Sequence, residues 1–191
     1  MEAFLENVLP MIVAPGRTWR IRDFGSKQNL IKRLPDRLRA YAKRVRQEEL
    51  RVVVLIDRDQ QDCHELKSHL EIIARDAGLA TRSSPDDTGR FVVINRLAIE
   101  ELEAWYFGDC DALRAAYRRV PATLEHKARY RDPDAIAGGT WEALHRVLRR
   151  AGHFGAYLPK IEVAREVSRH VDPARNRSDS FRCFATAVAA I

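Results

Sequence analysis

The chain has 191 residues, of which 46% are hydrophobic and 31% charged, and its formal net charge is +6. Such a chain buries one good core, which makes a single domain with a helical extension the default and excludes a disordered polyelectrolyte. No apolar run approaches the ~20 residues of a membrane span, and the basic balance permits a polyanionic partner without demanding one.

Taken in chain order, Glu2 to Val13 carries apolar residues at Phe4, Leu5, Val8, Leu9 and Ile12, a helical spacing, and the chain opens inside that helix. Its acidic start does not read as a signal peptide. Pro15-Gly16 ends it. Thr18 to Phe24 alternates loosely and predicts a strand. Pro35 suits the first position of a helix running to about Gln47, with Leu34, Leu38, Tyr41 and Val45 as its apolar stripe. Arg51 to Ile56 predicts a strand apolar on both faces, as in the centre of a parallel sheet. A helix follows, capped by Asp62, with Leu66, Leu70, Ile73 and Ala77 on one face and Gly78 as its stop. Ser83 to Gly89 is a loop by composition. Phe91 to Ile94 predicts a second short strand, and Ile99 to Phe107 a helix opened by Glu100, Glu101 and Glu103. Further helices are expected over 111–119, 140–150, 159–170 and 178–190, with no strand among them. Alternating β and α followed by helices alone gives an α/β fold: a parallel sheet flanked by helices, with a helical C-terminal part. The expected division is an α/β domain over residues 1–110 and a helical part over 111–191 packed on it.

The stretch VVVLIDRDQQDC, Val52 to Cys63, delivers Asp57, Arg58 and Asp59 at the carboxyl end of the clearest strand, where ligands of parallel sheets sit. Residues two apart in extended backbone share a face, so the two carboxylates repel unless a cation intervenes, and Arg58 points the opposite way. A magnesium ion takes one or two carboxylates and keeps waters for a phosphate substrate. The alternative is a structural loop in which Asp59 or Asp62 caps the next helix and Arg58 pairs with a neighbour. Three kinds of aspartate site use such a pattern. A haloacid-dehalogenase-type phosphatase places it on its first strand with Thr or Val two places on, where this chain has Gln61. A receiver-type phosphoacceptor needs an acidic pair on its first strand. The Toprim fold of topoisomerases, primases and some nucleases places D-x-D after an internal strand, as here.

VVVLIDRDQQDC, AIEELEAWYFGD (Ala98–Asp109), YLPKIEVAREVSRHVDP (Tyr157–Pro173) and SDSFRCF (Ser178–Phe184) together resemble the bacterial domain-of-unknown-function family 4276, a Toprim-like family related to overcoming-lysogenisation-defect-type nucleases. The resemblance covers nearly the whole chain. It implies magnesium- or manganese-dependent cleavage of DNA or RNA phosphodiesters, with Asp57 and Asp59 at the metal. It further implies metal contact by Glu101 or Glu103, of which Glu101 lies nearer the strand end, and an acid on the first helix, where Glu2 stands. Lys160 would stabilise the extra charge of a phosphoryl transition state, though a surface lysine is the commoner role. Related nucleases begin with a strand ending in Glu. That strand is not visible ahead of Glu2, so the expectation is either a start upstream of Met1 or a chain lacking one acid. Glu6, one turn on, is expected in solvent. The resemblance also implies an AAA- or ABC-type ATPase partner and a role in phage defence; a homo-oligomer is left open by the sequence. The rival expectations are a catalytically incomplete, nucleic-acid-binding subunit and a phosphatase of small phosphate esters.

Two basic helices offer a nucleic-acid face: one with Arg37, Arg39, Lys43, Arg44 and Arg46, the other with Arg146, Arg149 and Arg150. A solvated surface is the ordinary explanation of such runs, while backbone contact would make binding sequence-tolerant. His64 and His69 diverge by roughly 140° round a helix, which refuses a zinc-protease reading. Cys63, Cys110 and Cys183 are far apart and odd in number, which predicts reduced thiols and a cytoplasmic setting.

Overall fold

The computed structural model describes the whole chain, residues 1–191. It is α/β: two parallel strands in one sheet, flanked by helices, with helices alone toward the C-terminus. The elements are α1 (Glu2–Ile12), α2 (Lys27–Arg44), β1 (Val52–Asp57), α3 (Cys63–Asp76), β2 (Val93–Ala98), α4 (Glu103–Gly108), α5 (Cys110–Ala116), α6 (Thr140–Arg150), α7 (Lys160–Ser168) and α8 (Asp179–Ala189). Single 3-10 turns over Leu124–His126, Ala128–Tyr130 and Pro133–Ala135 separate α5 from α6. No helix is long and apolar enough to cross a membrane.

Contacts gather the chain into two compact units, residues 22–97 and residues 1–21 with 98–190. This grouping does not follow chain order at residue 110, because α1 packs on α7. In the sheet-bearing unit, β1 and β2 pair directly, and Val54 and Ile56 of β1 bury against Leu34 and Leu38 of α2 and Leu66 and Leu70 of α3. Only one face of β1 is fully covered, since Val53 and Leu55 stay half-buried. The expectation of a strand buried on both faces is corrected accordingly. Asp62 caps α3 by accepting from the backbone N–H groups of His64 and Glu65, and Gly78 takes a positive φ of 74° just beyond it, as a helix stop requires.

Four further expectations shift. Thr18 to Phe24 forms no strand; none of its residues is buried and Trp19 stands 46% exposed, so it has neither a ladder partner nor a covered face. Helix α2 begins at Lys27, not at Pro35, because the Ser26 hydroxyl accepts from Asn29 N–H and starts the helix earlier. Pro35 sits inside it. Strand β2 lies later than Phe91 to Ile94 and runs through Asn95 and Arg96. Asn95 is buried in a strand because its amide donates to Glu71 at 3.0 Å. Helix α4 starts at Glu103, after Glu100 adopts φ 62°. A left-handed residue cannot continue a right-handed helix, so Glu100 and Glu101 belong to the turn and not to α4.

The other unit is organised by aromatic rings. Trp105 is fully buried between Phe4, Phe181 and Phe184, with centroid distances of 5.7, 5.2 and 5.2 Å. Its indole N–H donates to Ser180 Oγ at 2.8 Å, which satisfies the polar atom that burial would otherwise strand. Asn176 donates to the Trp105 carbonyl, and Asp134 accepts from Ser178 and Ser180 at the start of α8. Asp109, 1% exposed, accepts two bonds from the Arg175 guanidinium at 2.8 and 2.9 Å and caps α5 through Ala112 N–H.

Candidate functional site

Asp57 is the last residue of β1. It is half-buried, and its Oδ1 atom is shut off from solvent. Extended backbone stops there. Asp59 takes φ 53°, so it lies in a left-handed turn, which Asp tolerates better than most residues. Strand alternation therefore does not set the direction of Asp59. The Arg58 Nε donates to the Asp59 carbonyl at 3.1 Å.

Lys27 fastens this turn. Its ammonium donates to the Arg58 carbonyl at 2.8 Å and to Asp59 Oδ2 at 3.1 Å. The lysine side chain is mostly buried, while the Asp59 side chain is half-exposed. Sequence reasoning missed this partner.

Glu101 and Glu103 share a cation of their own. Lys160 Nζ lies 3.8 Å from a carboxylate oxygen of each and 4.8 Å from the centre of the Trp141 ring, within cation–π range. Glu103 is 7% exposed. Glu101 Oε2 accepts from Thr140 Oγ1 at 2.9 Å and from Trp141 N–H at 3.0 Å, so it caps α6 from outside that helix. Of these two acids only Glu103 is helical, so helix periodicity does not set their separation. Glu2 is exposed in the first turn of α1, and Glu6 is exposed as expected. Neither unit brings three Asp, Glu, His or Cys side chains to a common centre, so Glu2 does not join Glu101 and Glu103 in a ligand group.

Of the basic residues, Arg149 and Arg150 are exposed at the end of α6, and Arg146 is half-buried with its Nε lacking an acceptor. Arg44 pairs with Glu48 and lies 5.8 Å over the Tyr41 ring, so part of its charge is already spent. Cys110 is buried, and burial pushes its thiol up to about 12. No disulfide joins Cys63, Cys110 and Cys183.

A family model described as a domain of unknown function, DUF4276, matches residues 1–189. The chain belongs to this family. No curated protein and no solved structure matches the chain. The DUF4276 match takes in both acid pairs and both basic helices. It leaves their chemistry to be argued from geometry.

The donor chemistry at the end of β1 fits a hard divalent cation. Asp57 and Asp59 offer carboxylate oxygens two residues apart in sequence, and magnesium takes one or two carboxylates rather than an all-protein cage. The two-acid count is therefore no obstacle. Lys27 already supplies positive charge at Asp59 in this structure.

Proposed function

We propose that this chain is a Toprim-type, metal-dependent nuclease that hydrolyses phosphodiesters of DNA or RNA. The observation that carries the reading is the strained acidic turn at the carboxyl end of β1: Asp57 with a desolvated oxygen, then Asp59 at φ 53° against Lys27. Backbone strain of about 1–3 kcal/mol persists where surrounding structure enforces it, and it clusters at functional sites. Asp57 and Asp59 would hold Mg²⁺ or Mn²⁺, which when bound activates water and neutralises developing phosphoryl charge. Lys27 fixes the turn, and so orients Asp59. Arg146, Arg149 and Arg150 supply sequence-tolerant contacts to a phosphate backbone. Glu101 is left to the helix that it caps. A cytoplasmic setting, a homo-oligomer, an ATPase partner and a role in phage defence complete this reading on family analogy and free thiols alone.

A second reading, a nucleic-acid-binding subunit without catalysis, is favoured by one observation: a lysine already neutralises Asp59 and no third acid joins the pair. One experiment separates the two. Manganese or magnesium should raise the melting temperature of the wild type, and the double change Asp57→Asn with Asp59→Asn should abolish both that rise and cleavage of a plasmid or RNA substrate. A metal response that survives in the double variant would move the metal elsewhere. Nucleic-acid binding without cleavage at any metal concentration would select the second reading.

A further inference from the structure

We propose that the exposed side of α2 is a phosphate track for double-stranded nucleic acid, contacted through Lys32, Arg33, Arg37 and Lys43. The inference rests on the nucleic-acid reading above and deepens it, naming the duplex as the substrate form and α2 as its main docking surface.

The charge of the chain is concentrated here. Helix α2 holds seven of the 33 Lys and Arg residues but only one of the 27 Asp and Glu residues, Asp36. The whole net charge of +6 therefore resides in one helix, and the rest of the chain is balanced. Acids relieve little of it. Arg39 pairs with Asp36, Arg44 with Glu48 beyond the helix end, and Lys27 with Asp59. Lys32, Arg33, Arg37 and Lys43 are exposed and enter no ion pair. Arg33 and Arg37 stand one turn apart, as do Arg39 and Lys43, a spacing at which like charges destabilise a helix. A polyanion laid along α2 removes that repulsion.

Geometry and the neighbouring residues decide which polyanion. Helical periodicity puts Lys32, Arg39 and Lys43 within an arc of about 40°, and Arg33, Arg37 and Arg44 within another, the two rows about 120° apart. Both rows lie away from the buried Leu34 and Leu38. From Lys32 to Lys43 they run ~17 Å along the axis, a length over which a duplex presents about ten phosphate charges. A membrane-surface helix would need its apolar face for the bilayer. Here that face is taken by the core, with Leu30, Ile31, Tyr41 and Val45 packed against the same cluster as Leu34 and Leu38. Single strands are held by stacking bases on aromatic rings. Tyr41, the one aromatic residue of α2, packs on the core beneath Arg44, so the cationic side offers no ring. A duplex needs none, because its phosphates alone position the protein.

The test is binding of fluorescent DNA duplexes of unrelated sequence in metal-free buffer, titrated with salt. Changing Lys32, Arg33, Arg37 and Lys43 together to Gln should flatten the slope of log affinity against log salt by roughly 3 to 4, since each lost phosphate contact removes about 0.9. The loss should be equal for every sequence. Lys32→Arg with Lys43→Arg should keep the wild-type slope. So should a control that loses the same charge at the exposed Arg75, Arg90, Lys127 and Arg131, each changed to Gln. A wild-type slope in the α2 variant, or an equal flattening in the control, would overturn the proposal. A wild type that binds oligothymidylate more tightly than duplex, or binds phosphatidylserine vesicles and no duplex, would overturn it as well. Because cleavage is not the readout, a protein that binds through α2 and never cuts would defeat the nuclease reading alone. An active nuclease indifferent to the α2 changes would defeat this proposal alone.

Discussion

The acids that follow β1 and the acids that follow β2 begin alike and end differently. Each strand is followed within two residues by an acid in left-handed backbone, Asp59 at φ 53° and Glu100 at φ 62°. Each stretch also keeps a lysine beside its carboxylates, Lys27 in one and Lys160 in the other. The difference lies in the other partners. Asp59 bonds to an ammonium and stays half-exposed, whereas Glu101 accepts from Thr140 and from the first turn of α6. The backbone is alike at the two strand ends, and the donors around each carboxylate decide how far the fold depends on it. The contrast predicts that Asp59 is dispensable for stability and that Glu101 is not.

Asp109 sets the upper end of that scale. It is buried, doubly bonded to Arg175, and caps α5. Removing one partner of a buried pair leaves a charge uncompensated, so Asp109→Ala should cost ~3 kcal/mol in a denaturant melt. A loss below ~1 kcal/mol would mean that Arg175, which is partly exposed, finds water in its place.

The comparison itself is sharpened by a pair of variants. Glu101→Ala should cost ~1–2 kcal/mol, the range of a lost helix cap and its hydroxyl bond, and Glu101→Gln should recover most of it because an amide oxygen still accepts from Trp141 N–H. Asp59→Gly should not destabilise the protein and should stabilise it by up to ~2 kcal/mol, since glycine relieves the positive φ while only the half-exposed Lys27 pair, worth ~1 kcal/mol or less, is lost. Equal losses at the two positions would erase the distinction between a held acid and a spent one.

The helices were legible in the sequence wherever a cap or an apolar stripe was local. Asp62, Gly78 and the stripe Leu66, Leu70 and Ile73 placed α3, and the helix expected over 178–190 is α8. What failed was long-range. Asn95 and Arg96 hid β2, because a buried polar strand residue makes sense only beside Glu71. Trp19 and its neighbours imitated a strand, because alternation says nothing about whether a ladder partner exists. At the candidate site, Asp57 and Asp59 were visible as a motif. The left-handed turn and Lys27 were not, because both depend on a side chain some thirty residues away in the chain. Pairing of Glu101 and Glu103 through Lys160 was likewise invisible, since a helix was expected where a turn occurs.

Acid titration offers the smallest effect and a further separation of the two units. Arg114 donates to both oxygens of Glu125 at 2.8 and 3.0 Å, and that hydrogen bonding holds the Glu125 carboxyl down at about 2, against an ordinary 4.5. A carboxylate depressed in the folded state stabilises the protein above its unfolded value and loses that contribution as pH falls through the folded one. The Glu125 contribution is therefore complete above about pH 4.5 and gone near pH 2. In the sheet-bearing unit, burial would raise Glu71, but hydrogen bonds from Thr81 and Asn95, with Lys67 beside it, outweigh burial and lower it. Arg114→Gln should make the protein less stable than the wild type at pH 7, with the gap closing as pH drops from 4.5 toward 2. The slope that survives in the variant then belongs to Glu71 and the other depressed acids, Asp62 and Asp86. A gap that stays constant across that window, measured by denaturant melts at each pH, would show that Arg114 acts through packing rather than through the Glu125 charge.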